Sequence, residues 1–139
     1  MRNWWIAALS LILLQGVVPL AVADSDPPIP EIDIIVELQA AVRADDKKWF
    51  VAHLHFPVRY FGKKSHIIRS KDWFLSHYTT IIGAELKASV LAQDPEQYFK
   101  NYQGLMVGEG SRNIWFEDFG DLGAGRGVQY EIITINNSD

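Results

Sequence analysis

The sequence predicts an α+β domain whose N-terminal helices pack into the concave face of a strongly bent antiparallel sheet. Three observations carry that expectation. Apolar residues recur at helical spacing through much of the first two-thirds of the chain, whereas the last third is a series of short β-rich runs separated by glycine-containing turns. Helices followed by strands, rather than alternating with them, segregate onto one face of an antiparallel sheet. Gly104, Gly108 and Gly110 fall in or beside the late strands, where glycine permits the bulges and bends that curve a sheet.

The chain opens with a segment that belongs to no domain. Met1-Arg2-Asn3 is a short positive start, Trp4 to Val18 is an almost unbroken apolar run, and Pro19 breaks it. Ala21-Val22-Ala23 then supplies the small residues that a signal peptidase reads. Residues 1–23 are therefore expected to be a secretory signal peptide, cleaved near Ala23-Asp24 and leaving a periplasmic or secreted protein. A membrane span is the weaker reading, because Ser10, Gln15 and Gly16 interrupt a run that must reach about 20 apolar residues. The 139 residues contain no cysteine, which excludes a lipid anchor on cysteine, disulfides, thiol catalysis and cysteine metal sites. No membrane anchor is expected after cleavage, and with 48% hydrophobic residues the domain must be held by packing alone. Its formal net charge of −4 becomes one unit more negative once Arg2 is removed, a poor basis for binding nucleic acid.

Residues 24–30, with three prolines, read as an extended leader, and residues 31–139 as a single domain. Pro30 suits the first position of a helix. From there Ile34, Ile35, Leu38, Ala41 and Val42 recur at helical spacing to about Asp45. Asp45-Asp46 marks a break and caps a second helix from Lys47 to His55. Val58 to Phe61, a Gly62–Ser65 turn and His66 to Arg69 read as a hairpin. Ser70 caps the next helix, whose wide stripe of Trp73, Phe74, His77, Tyr78, Ile81 and Ile82 runs to Gly83. Residues 85–91 fit strand or helix equally. Asp94-Pro95-Glu96-Gln97 has the form of a helix start and predicts a short helix to about Asn101. Strands follow at residues 103–108, 113–119 and 128–136, the last two joined by the loop from Gly120 to Gly127.

Several segments resemble a known superfamily. They are Phe56-Pro57-Val58, Ile68 with Asp72, Phe74, Tyr78 and Ile82, and above all Asn101-Tyr102-Gln103-Gly104-Leu105-Met106-Val107-Gly108 running into Gly110 and Ile114-Trp115-Phe116. In these the chain looks like the nuclear transport factor 2-like (NTF2-like, cystatin-like α+β) superfamily, and in particular its small exported bacterial members. The resemblance implies a cone in which helices fill a bent sheet. It implies no catalytic residues, because the shared motifs are turn glycines, core aromatics and strand residues. The wider superfamily holds isomerases, dehydratases, cyclases and many non-enzymes, so fold alone decides no function.

The residues themselves are sparing with chemistry. His53-x-His55 grips one ion only if both lie on a strand, and this segment reads as a helix end, so no metal site is expected. His53 follows Trp49 by four residues and shares its helix face with Phe56, and His77 follows Trp73 likewise. Such faces would line the cavity of a cone, where a histidine beside a carboxylate serves as a general base or, more commonly, packs its ring with one nitrogen hydrogen-bonded. Glu117, Asp118 and Asp121, with Tyr60, Tyr78, Tyr102 or Tyr130 as donor, are the elements of an acid–tyrosine pair for proton transfer. The four glycines of residues 120–127 lack a phosphate-binding ending and read as a hairpin loop. Lys63-Lys64, with His66, Arg69 and Lys71, is either a solvated hairpin tip or a contact for an anionic partner.

The ligand-pocket candidates are Trp49, His53, Phe56 and Tyr60, together with Phe74, His77, Tyr78 and Trp115. No cofactor is expected. Bulk on both faces of the closing strands, at Ile114-Trp115-Phe116 and at Ile132, Ile133 and Ile135, predicts that the outer sheet face is covered, by a second copy of the chain or by the leader. The expected function is an exported, non-catalytic binding protein for a small apolar ligand or a protein partner. The alternatives are an inhibitor or immunity-type protein, and an isomerase-, dehydratase- or cyclase-like enzyme.

Overall fold

A computed structural model describes residues 26–121 and 123–139. The expected signal peptide and the first residues of the expected leader lie outside the described residues; residues 26–29 are exposed and irregular. Helix α1 (Pro30–Ala44) begins on proline, has Glu31 and Asp33 in its first turn, and buries Ile34, Ile35, Leu38, Ala41 and Val42. Asp45, in the left-handed conformation at φ 47°, ends it by returning its N–H to the carbonyls of Ala41 and Val42. Asp46 caps α2 (Lys47–His53), its carboxylate accepting the Trp49 N–H at 3.0 Å.

Helix α2 stops at His53, short of the predicted His55. Leu54 takes an extended conformation and opens strand β1 (Leu54–Phe61), which pairs with β2 (Ser65–Ile68) as a hairpin. His55 therefore lies on a strand. The single helix expected after Ser70 is two, α3 (Lys71–Ser76) and α4 (Tyr78–Ile81). The break falls at His77, whose backbone leaves helical geometry at φ −115° and ψ 11°. Its N–H is shared between the Trp73 and Phe74 carbonyls at 3.2 and 3.1 Å; the Trp73 carbonyl also accepts from the Ser76 hydroxyl at 2.9 Å and pairs with His77 Nδ1 at 2.8 Å. Side chains that compete for a backbone carbonyl break a helix at that point. Residues left open between strand and helix are helical, α5 (Ala84–Ala92).

The helix predicted from Asp94 does not form. Asp94 accepts the Glu96 N–H on its side chain and the Gln97 N–H on its carbonyl, closing one turn. The chain then extends into β3 (Phe99–Asn101), because Phe99 to Asn101 finds a partner in β4 (Gly104–Glu109). Strands β5 (Arg112–Asp118) and β6 (Tyr130–Asn137) complete the sheet.

The six strands lie in the order β2-β1-β6-β5-β4-β3. All neighbours are antiparallel except β1 and β6, which are parallel, so the sheet is mixed and not antiparallel as the sequence predicted. The reason is topological. The chain enters the sheet at β1, steps to one edge at β2, and crosses on helices to the other edge at β3. It then meanders inward and meets β1 with β6. No local pattern announces such a pairing.

Helix α5 packs on β4, β5 and β6, and α1 packs on α5. Buried Gln39 of α1 fastens the two, its amide donating to the carbonyls of Val90 at 3.1 Å and Gln93 at 2.8 Å at the α5 C-terminus, where the helical ladder runs out. The helix-facing side of the sheet carries Val107, Ile114 and Ile135 in one row and Leu105, Phe116 and Ile132 in the next, all 0% exposed. A bulge explains the apolar run of β6. Trp115 pairs with Thr134 but Phe116 pairs with Ile132, so Ile133 is skipped. Ile132 and Ile135 thus share the core face, and of the supposed two-sided bulk only Ile133 and Trp115 remain half-buried.

Candidate functional site

Where the start of α1, the end of α2 and the start of β6 meet, they leave a cleft of about 580 Å³. Asp33, Ile34 and Glu37 come from α1, Ala52 and His53 from α2, and Tyr130 and Glu131 from β6, with Pro28, Pro30, Val128 and Gln129 completing the wall. Asp33 and Glu37 are one helical turn apart and so share a face of α1.

The Trp49 and His53 rings stack at 4.0 Å between centroids, as their i, i+4 spacing predicts. His53 Nδ1 lies 2.7 Å from the Trp49 carbonyl oxygen. A carbonyl only accepts, so Nδ1 carries the proton and Nε2 is the acceptor of the neutral ring. That Nε2 sits 3.9 Å from a Glu37 carboxylate oxygen, which itself accepts the Trp49 indole N–H at 3.2 Å. The fourth acidic group is deeper. Glu31 accepts the Tyr130 hydroxyl at 2.7 Å and the Lys100 ammonium on the same oxygen. Burial pushes the Glu31 carboxyl up, but Lys100 and Tyr130 together hold it below the usual carboxylate range. Burial pushes the Tyr130 hydroxyl up, Lys100 pulls it back, and Glu31 raises it again, to about 12.

The cleft is thus rich in acceptors. Asp33, Glu37, Glu131 and His53 Nε2 line it, and no lysine or arginine does among the described residues. Glu131 is partly spoken for: His55 Nδ1 lies 2.7 Å from its carboxylate, with the His55 ring stacked on Phe119 at 3.8 Å. His53 and His55 therefore serve different partners, and no group of three or more His, Cys, Asp or Glu among the described residues is placed to hold a metal ion.

Of the eight pocket candidates, only His53 lines this cleft, with Trp49 stacked against it. Phe74 and Tyr78 are fully buried, packed with Phe50 at ring distances of 5.7 to 6.0 Å. Phe56 is half-buried against the same core. Tyr60 lies on the core face near the hairpin, and His77 stacks on Trp73 at the surface, 3.9 Å away. Trp115 lies on the opposite sheet face, edge-on to Phe99. The acids named with the tyrosines lie elsewhere too. Asp118 accepts the N–H groups of Gly120 and Gln129, both at 2.8 Å, and Asp121 holds the turn at Ala124. Acid–tyrosine pairs exist, but as Tyr130–Glu31 and Tyr78–Asp45, the latter at 3.0 Å. Glu31, Asp33 and Glu37 belong to none of the motifs the sequence offers. The i, i+4 spacing of Asp33 and Glu37 astride the apolar Ile34 was the available signal.

No helix among the described residues is long and apolar enough to cross a membrane. Comparison of the chain with known protein families, with characterised proteins and with solved structures finds no match.

Proposed function

We propose that the chain is an exported binding protein of NTF2-like architecture, its helices seated in a bent sheet, that takes a small ligand in the cleft between α1, α2 and β6. The observation that carries this reading is the lining itself: four acceptors, apolar surface from Ile34, Ala52, Val128 and the prolines, and no basic residue among the described residues. Such a cleft favours a ligand with an apolar body and a cationic or donor-rich end, since a buried acceptor without a donor costs about 1–3 kcal/mol. Of the aromatic side chains that would have suited a wholly apolar ligand, Phe74 and Tyr78 are taken up by the core and Tyr60 and Trp115 lie away from this cleft. Catalysis is the weaker reading, because His53 Nε2 meets its carboxylate only at 3.9 Å, beyond hydrogen-bonding reach.

A thermal-shift panel of aromatic amines, their neutral counterparts and their acids tests this. Amines should raise the melting temperature of the wild type and lose that effect in Asp33→Asn/Glu37→Gln. Stabilisation by neutral compounds alone would leave only the apolar-ligand version standing, and no stabilisation by any class would sink the proposal.

A second reading, an interaction protein or homodimer using the outer sheet face, draws on the cross-strand row Ile67, Arg59, Thr134, Trp115, Met106 and Phe99, apolar at both ends, with Ile67 and Phe99 well exposed. Light scattering on the wild type and on Trp115→Glu separates the forms. A dimer that dissociates in the variant supports self-association, and a pull-down partner lost in the same variant supports an inhibitor-like role.

A further inference from the structure

A second cleft, of about 620 Å³, lies at the other end of β6, by Asn137. Its charges are arranged differently. Glu85 and Asp139 line it, but both are engaged by the Arg112 guanidinium, Asp139 at 3.1 Å. Lys63 and Lys64, from the turn between β1 and β2, line it as well, and neither has a carboxylate within 4.0 Å among the described residues. One guanidinium against two carboxylates leaves one negative charge, so with Lys63 and Lys64 the side chains around the cleft sum to +1, and the two lysines are its unpaired cations among the described residues.

The donors point the same way. Trp73, Ser65 and Thr80 line this cleft, and the Trp73 indole N–H and the two hydroxyls have no hydrogen-bond partner among the described residues. The site is also held in shape. His66 and His77 cover the two faces of Trp73, at 4.0 and 3.9 Å, tying β2 to α3 and leaving the indole edge and its N–H for a visitor. The turn rests on Tyr60 so closely that a Cβ on Gly62 would lie 2.3 Å from the tyrosine oxygen, so the lysine-bearing backbone has little room to wander.

We infer that this cleft binds a small organic anion: a carboxylate, sulfonate or phosphate group on an apolar body. The anion meets Lys63, Lys64 and the free donors, and the apolar part lies against the edges of Tyr60 and Trp73. Two lysine ammonium groups beside aromatic surface discriminate against neutral and cationic ligands, the opposite preference to that of the first cleft.

Anilinonaphthalene sulfonate is a suitable probe, with the neutral N-phenylnaphthylamine as control. In amide NMR of the mature chain, the sulfonate should shift the resonances of residues 62–66, Thr80 and the Trp73 indole N–H. Lys63→Glu/Lys64→Glu should weaken sulfonate binding at least tenfold and leave the neutral probe unaffected, while Lys63→Gln/Lys64→Gln falls between. Shifts centred on α1 and α2 or on the outer sheet face, or equal affinity in the charge-reversed protein, would overturn the inference. The mapping on the wild type stands whether or not the variants fold, and Asp33→Asn/Glu37→Gln, which tests the first cleft, should leave this binding intact.

Discussion

Tyr130 and Glu31 stand 99 positions apart in the chain and share a hydrogen bond with a charged acceptor. Deleting the hydroxyl in Tyr130→Phe should cost about 1.5–3 kcal/mol, read from urea denaturation. The pH dependence follows from the directions of the shifts. Glu31 and Asp45 are held below their ordinary carboxylate values, so the unfolded chain takes up protons first as pH falls. Their stabilisation is complete above about pH 4.5 and is lost below it. Melting temperatures recorded on the acid side should fall less steeply in Glu31→Gln than in the wild type. At the alkaline end the sign reverses: Tyr130, raised to about 12, stabilises the fold below its unfolded value and ceases to do so as pH climbs from about 10 towards 12. At this scale the sequence was legible only where contacts are local. The Trp49–His53 stack follows from helical spacing, whereas nothing near Glu31 announces a tyrosine and a lysine that arrive from β6 and β3.

The helix boundaries that hold are those with a chemical reason at the end of the element. Asp46 and Ser70 were recognised as caps because a side-chain oxygen followed by an apolar run has few other uses, and each accepts the N–H three residues on. Asp46→Ala and Ser70→Ala should each cost about 1 kcal/mol in thermal unfolding. Asp94 offered the same signal and formed one turn, because Tyr98 and Phe99 favour extension and β4 lay ready to pair. Capping chemistry marks where a helix can start; tertiary pairing decides whether it continues. The break between α3 and α4 is hidden for a related reason: apolar spacing runs through His77 unbroken, while the backbone at His77 leaves the helix and side chains crowd the Trp73 carbonyl. Gly104 shows what a strand can require of one residue. It sits at φ 134°, and a Cβ there would lie 2.1 Å from the Phe116 carbonyl oxygen on β5. Gly104→Ala should destabilise by about 2–5 kcal/mol in denaturant, through strain and a clash with backbone that cannot move aside.

For the molecule as a whole, the sequence conveyed an α+β class and the core residues, but not the parallel contact of β1 with β6. Periodicity reports which face of an element is buried and is silent about which strand lies beside it. That contact also orders the surface, since the acidic cleft opens at the Tyr130 end of β6 and the lysine-lined cleft at the Asn137 end. The central strand β6 follows β5 after one loop but bonds to β1 across most of the domain, a topology that folds slowly because distant segments must meet before either is rewarded. Removing residues 130–139 should abolish the cooperative unfolding transition seen by circular dichroism, whereas trimming Ser138 and Asp139 should leave it in place. Among the described strands β6 comes last in the chain. Until it is in place, β1 with β2 and β3 with β4 and β5 are two separate half-sheets whose inner edges, on β1 and β5, lie open. β6 closes both edges at once, a keel laid only when everything else is already afloat.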